Sequence, residues 1–341
     1  MFPKSNFFKA KFSPAILLIS LVMLLFVACE VPFSPNAEWK ETPVVYCLLD
    51  QDEDTTWVRV EKCFLGEGNI HNYGGISDSI NYPAGSIAVN LLAYKNGVQT
   101  SSVQLRDTVL NHNVGAFSNL NQPIYFTPIR LDEQCMYKLE LHQVADGRLL
   151  ASTDSIPLII RDPSNSLFVR PTVYDRFIFR NRSGGDPACQ IEWNQFENAR
   201  LYQPIVRFYY SIQGDTQYVD LKCQTVASGT TQGRLSTYYS RQAFLQGVYE
   251  ALKDDPNPKK YLKTVDLYLT ACDENLNVYM SNINSGNSID QSYEPYTNIH
   301  GGLGIFGARR TKLYHNFDAD SSLLPPDGLH YLLKNLDVGI E

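Results

Sequence analysis

The chain has 341 residues, 44% of them hydrophobic, with 29 basic and 36 acidic side chains and a net charge of −7. No stretch concentrates Lys and Arg, which excludes the cationic surface that nucleic-acid phosphates require. The length allows two ordinary domains with cores, and 21 tyrosines and 17 phenylalanines suit strands better than helices.

Residues 1–28 read as an export signal. Lys4, Lys9 and Lys11 precede an apolar run from Ala15 to Ala28 that only Ser20 interrupts. The run is shorter than the ~20 residues of a membrane-spanning helix. It ends Phe26-Val27-Ala28-Cys29, which resembles the bacterial lipobox, although Phe26 stands where leucine is usual. Cleavage before Cys29 with diacylglycerol on its thiol is therefore expected. The alternative is a plain secretory signal in which Cys29 is incidental. Buried lipid is worth ~0.8 kcal/mol per methylene, so several chains on one cysteine make a firm anchor. Residues 29–42 then form a tether. Six cysteines follow (Cys47, Cys63, Cys135, Cys189, Cys223 and Cys272), and both disulfides and buried free thiols fit them.

From Pro43 the pattern is that of strands. Val44–Leu49 is apolar, and Thr56–Phe64 alternates, with Val58 and Val60 opposite Arg59 and Glu61. Residues 66–85 read as a polar loop. Ile87, Val89, Leu91 and Ala93 share a face before Asn96-Gly97, a hairpin turn in which both residues tolerate positive φ. Tyr137, Leu139 and Leu141 alternate before a turn at Asp146-Gly147. Asp162-Pro163-Ser164-Asn165-Ser166 marks a boundary over 161–170. Beyond it, Ile191 and Trp193, then Val206, Phe208, Tyr210 and Ile212, then Val265, Leu267, Leu269 and Ala271 line three more strands. One helix is expected near 240–253, capped by Ser240, with Phe244, Leu245, Val248 and Leu252 on one side. The expected fold is mainly β: two β-sandwich domains (Ig-like or fibronectin type III-like) over 43–160 and 171–341, with one short inserted helix.

Motifs for chemistry are weak. Asp50, Asp52, Asp54 and Glu61 occupy positions 1, 3, 5 and 12 of a calcium loop, but Thr55 replaces the turn glycine. An acidic hairpin turn is the expected reading, and weak cation binding there stays open. Gly302-Leu303-Gly304-Ile305-Phe306-Gly307 matches G-x-G-x-x-G without the strand–helix setting that dinucleotide binding needs. The histidines (His71, His112, His142, His300, His315, His330) lack metal-ligand spacing, and no nucleophile motif occurs. No catalytic, cofactor-binding or metal residue is assigned and no cofactor is expected. Cys29 is the one site residue, as the lipid attachment point.

Three stretches carry a family resemblance. They are Cys29-Glu30 followed by the strands through Val58-Arg59-Val60, Tyr137–Leu141 with Asp146-Gly147-Arg148 and Ala151-Ser152-Thr153, and above all Tyr296-Thr297-Asn298-Ile299-His300-Gly301-Gly302-Leu303-Gly304-Ile305-Phe306-Gly307-Ala308. Together they resemble the Bacteroidetes outer-membrane lipoproteins of the domain-of-unknown-function 4249 family. The resemblance implies a non-enzymatic accessory or binding lipoprotein of the outer membrane, a partner of a TonB-dependent transporter or of envelope assembly. It carries no catalytic residues, and it implies that the glycine run is structural, with Ile305 and Phe306 buried. Glu30-Val31-Pro32 lacks an acidic run of the kind that directs surface export, which favours the periplasmic side. The alternative is a surface lipoprotein that takes a glycan or peptide on exposed Tyr209, Tyr238 and Tyr239; a hydrolase with a dispersed site ranks third. Anchoring is tested directly: Cys29→Ser abolishes metabolic lipid labelling and moves the protein to the soluble fraction.

Overall fold

The computed structural model describes residues 41–63, 76–110, 122–164, 167–171, 177, 179–182, 185–228, 233–255, 259–285, 296–318, 333–334, 336 and 338–340. The expected signal 1–28, Cys29 and the tether up to residue 40 lie outside them.

The first half contributes β1 (Pro43–Leu49), β2 (Thr56–Lys62), helix α1 (Ser77–Ile80), β3 (Ile87–Lys95), β4 (Val98–Gln104), β5 (Arg106–Leu110), β6 (Gln122–Thr127), β7 (Met136–Gln143), β8 (Leu149–Thr153) and β9 (Ile156–Pro157). These make two groups, β1-β2-β6-β5 and β8-β7-β3-β4 with β9 beside β7. The alternation expected from the sequence sets their faces. Val45, Cys47, Leu49, Val58 and Val60 from one group and Val89, Leu91, Leu139 and Leu141 from the other are buried in a common core. Asn96 and Gly97 turn β3 into β4 at φ of 51° and 79°, as the Asn-Gly pair requires.

The second half adds β10 (Phe168–Arg170), β11 (Arg180–Arg182), β12 (Gly185–Asn194), β13 (Leu201–Ile212), β14 (Asp215–Lys222), β15 (Val226–Ala227), β16 (Arg234–Ser240), α2 (Arg241–Leu252), β17 (Tyr261–Cys272), α3 (Glu274–Ser285), β18 (Ile299–His300) and β19 (Leu303–Asp318). β10, β11 and β16 flank β12 in a four-stranded sheet, while β14-β13-β17-β19 continue into β1. The fold is mainly β, of the sandwich class. Each half uses a tyrosine at the start of a strand to hold upstream backbone. Tyr137 Oη accepts the Asp132 N–H at 2.6 Å, and Tyr202 Oη accepts the Phe196 N–H at 2.6 Å. Both side chains are buried, as in the tyrosine corner of Ig-like sandwiches.

Helix α2 forms where expected. Ser240 Oγ accepts the Ala243 N–H at 3.1 Å, and Phe244, Val248 and Leu252 face the core. Phe244 packs among Phe179, Phe208 and Tyr239, with ring centroids 5.4–6.4 Å apart. The expectation of a single helix is corrected by the short α1, within the stretch 66–85 expected as a loop, and by α3. Its four asparagines (Asn275, Asn277, Asn282, Asn284) disfavour helix, yet the Asp273 carboxylate caps it by accepting the Leu276 N–H at 2.9 Å.

The limits 43–160 and 171–341 are also crossed by the last strands. β18 pairs with β8. The first part of β19, Leu303 to Ala308, runs parallel to Val44–Leu49 of β1, and Arg309 to Asp318 then runs antiparallel to β17. Residues 299–308 therefore complete the sheets of the first half, a long-range pairing that local sequence texture does not encode.

This crossing explains the glycine run. Gly304 has φ of 108°, and a β-carbon there would sit 2.0 Å from the Val45 carbonyl oxygen. Asn298 braces the strand: its Nδ2 donates to Phe306 O at 2.7 Å, and its Oδ1 accepts the Phe306 N–H at 2.9 Å. Phe306 is fully buried and Ile305 nearly so. A strand, not a helix, follows the glycines, so the dinucleotide pattern is a coincidence of letters. Phe306→Ala is expected to cost ~3–5 kcal/mol and Gly304→Val to lower the melting temperature as well. Both are read by thermal and urea melts, with no saturable binding of NAD, FAD or ATP by the parent.

Candidate functional site

Two features have the geometry of sites, and the acidic turn leads to the first. Between β1 and β2 the chain reads Asp50-Gln51-Asp52-Glu53-Asp54, and β19 brings Arg309-Arg310-Thr311-Lys312 alongside. Arg310 is 6% exposed. Its Nε donates to Asp52 Oδ2 at 2.9 Å, its Nη1 to the Ile159 carbonyl at 2.9 Å, and its Nη2 pairs with Glu133 Oε1 at 2.9 Å. Lys312 also pairs with Asp52, the Gln51 amide donates to Ile159 O, and Arg309 Nε lies 3.5 Å from Asp50 Oδ2. Burial pushes the Asp50 carboxyl above its ordinary range. Asp50 and Asp52 thus answer guanidinium and ammonium groups. Glu61 lies apart from them, on β2, bonded to Arg59 and Gln122. The four calcium-pattern residues do not converge, and the segment is the acidic turn expected.

Beside this clamp opens a cavity of about 640 Å³, lined by Glu133, Arg161, Asp162, Asn194, Glu197 and Arg234 among others. Two of its lining residues, Ile160 and Glu197, form a backbone bridge between the halves. The Ile160 N–H donates to Glu197 O at 3.1 Å, and the Glu197 N–H returns to Ile160 O at 2.8 Å. Guanidinium, carboxylate and amide groups share one opening, which suits a polar ligand bearing both charges.

The second feature is the outer face of β13, β14 and β17. Arg207 donates to both oxygens of Asp220, at 2.6 and 2.8 Å, and its Cζ sits 4.0 Å from the Tyr218 ring centroid and 4.5 Å from that of Tyr268. Tyr209 joins the cluster, its ring 6.0 Å from Tyr218 and its hydroxyl 3.4 Å from that of Tyr268. The Asp220 bonds hold the guanidinium more basic than usual, and partial burial pushes the Tyr268 phenol up to about 12. Tyr218 remains 55% exposed. The pairing register creates this cluster: Arg207 lies opposite Asp220 and Tyr209 opposite Tyr218.

The tyrosines singled out from the sequence divide differently. Tyr209 belongs to this face. Tyr238 is exposed on β16, on another sheet, while Tyr239 is buried against Phe244. Adjacent strand residues point to opposite faces, so Tyr239 is not the exposed side chain expected.

All six cysteines after Cys29 are free, and all but Cys63 are buried. Burial pushes the Cys47, Cys223 and Cys272 thiols up to about 12, which makes them inert at neutral pH. His142 lies 3.3 Å from Glu140, and His300 lies 3.1 Å from Asp154 at an exposed edge. His71, His112 and His330 lie outside the described residues.

The chain matches no protein-family model and no curated protein.

The clamp is testable by removing its centre. Arg310→Met is expected to cost about 2–3 kcal/mol in urea unfolding. That is below the 3–5 kcal/mol of a fully buried pair, because Asp52 and Glu133 keep some water.

Proposed function

We propose that the protein is an exported lipoprotein held by lipid on Cys29 at the periplasmic side of the outer membrane, and that it acts without catalysis as an accessory to a TonB-dependent transporter or to envelope assembly. The family resemblance of the Asn298–Gly307 stretch supports the setting. The observation that carries the reading is the face built on Arg207. Tyrosine and arginine dominate protein–protein hot spots because they bring large contact area and several donors at low entropic cost. Here the guanidinium is fixed between two rings and by a carboxylate before any partner arrives, so little ordering remains to be done on binding. The strands present these side chains on an open sheet face, the shape of a protein contact.

The test is a photo-crosslinking amino acid at position 218 in the native host. A covalent adduct with an outer-membrane transporter or assembly protein is expected, with at least tenfold lower yield in Arg207→Ala. Equal yield in that variant, or no adduct from position 218, overturns the reading. A second reading, direct capture of a ligand, has the cavity in its favour, whose volume falls within the ~300–1,000 Å³ of small-molecule sites.

A further inference from the structure

We infer that the outer face of β2 and β6 binds a neutral glycan chain, with Trp57 and Phe126 stacking on sugar rings and Arg59 and Glu61 engaging hydroxyls, Gln122 bracing Glu61 from below. The inference deepens the ligand-capture reading and does not depend on the Arg207 face.

Trp57 is 43% exposed although a large indole gains most by burial. The neighbours are arranged around it. Trp57 lies directly opposite Phe126 in the sheet, the ring centroids are 5.3 Å apart, and the planes differ by only 31°, so the pair forms one broad apolar platform. Further along the same face of β2 come Arg59 and Glu61. Arg59 Nε donates to Glu61 Oε1 at 3.0 Å, its Nη2 pairs with the same oxygen, and Gln122 Nε2 donates there too at 2.8 Å. Three bonds end on one carboxylate oxygen, and both side chains stay partly exposed, Arg59 at 35% and Glu61 at 17%.

The chemistry of this face selects its ligand. A pyranose has an apolar face of C–H groups and a rim of hydroxyls that donate and accept. The ring pair matches the first and the planar guanidinium and carboxylate match the second. Arg59 and Glu61 cancel each other's charge, so the face offers hydrogen bonds without a net field and favours neither an anion nor a cation. Alternate residues on a strand stand ~6.7 Å apart, so Trp57 to Glu61 covers ~13 Å, room for more than one ring. The ligand is therefore a chain and not a single sugar. β2 is held between β1 and β6, so the platform is rigid before binding.

The experiment uses the exported chain carrying Cys29→Ser, run in native gels containing dextran, laminarin or xylan as neutral probes and alginate as an anionic one. Retardation by at least one neutral polysaccharide is expected, together with a shift in tryptophan emission. Trp57→Ala and Phe126→Ala weaken it at least tenfold with unchanged melting temperature, whereas Trp57→Phe keeps most of it and Tyr249→Ala keeps all. If an alanine variant fails to fold, the emission shift in the parent and its reduction in Phe126→Leu decide the matter. No retardation or emission shift with any neutral probe, undiminished binding by the ring variants, or retardation in alginate alone overturns the inference. Each of these outcomes leaves the crosslinking result from position 218 untouched.

Discussion

The parallel pairing of β1 with the first part of β19 is the constraint on which the rest of the molecule depends. A strand of 16 residues is far longer than the usual ~5–6, and it hydrogen-bonds to β1 of the first half along one stretch and to β17 of the second along the next. Separate devices fix it. The missing β-carbon at Gly304 lets it approach Val45, Phe306 plugs it into the core, and Asn298 holds its free edge. Where it leaves one half for the other, Arg310 gathers Asp52, Glu133 and the Ile159 carbonyl. A buried guanidinium is tolerated there because each of its nitrogens meets an oxygen.

Because the sheet is continuous, its outer face presents both surfaces argued for above. Ile205, Tyr268 and Leu313 follow one another across β13, β17 and β19, and Tyr46, Arg59 and Ile124 do so across β1, β2 and β6. Helix α3 packs on β19 between these stretches, with Leu276 close against Gly307. The inner face is spent on packing, and the parts of the outer face that α3 does not cover carry recognition. That division follows from strand alternation and needs no loop.

Much of this was legible in the chain of letters. Alternation located the main strands, Asn96-Gly97 its hairpin, and Ser240 with Phe244, Val248 and Leu252 the helix that closes one core. These are local signals, set by neighbours in sequence. What stayed hidden was non-local. The approach of Leu303–Ala308 to β1, and hence the clamp on Arg310, depends on residues some 250 positions apart, and no periodicity encodes such a pairing. The Arg207 cluster depends on the register of three strands, which sequence alternation leaves open. Helix α3 was masked by its asparagines and by reliance on the Asp273 cap. The expected exposure of Tyr239 fails for a simpler reason, since Tyr238 and Tyr239 are neighbours on one strand and so face opposite ways.

The place of residues 299–308 has a consequence for biogenesis. Translation delivers a chain from its amino end, so β1 emerges long before the segment that pairs with it. Until that segment arrives, the first half waits with the β1 edge and the β8 edge unpaired, and exposed edges of this kind recruit other strands. Closing a loop of this span is also slow, because many contacts must wait for one distant encounter. The cell therefore has a stake in the interval between the two deliveries. A chaperone that shields β1 on the nascent chain would act on that interval, and so would any pause in synthesis placed between residues 160 and 299.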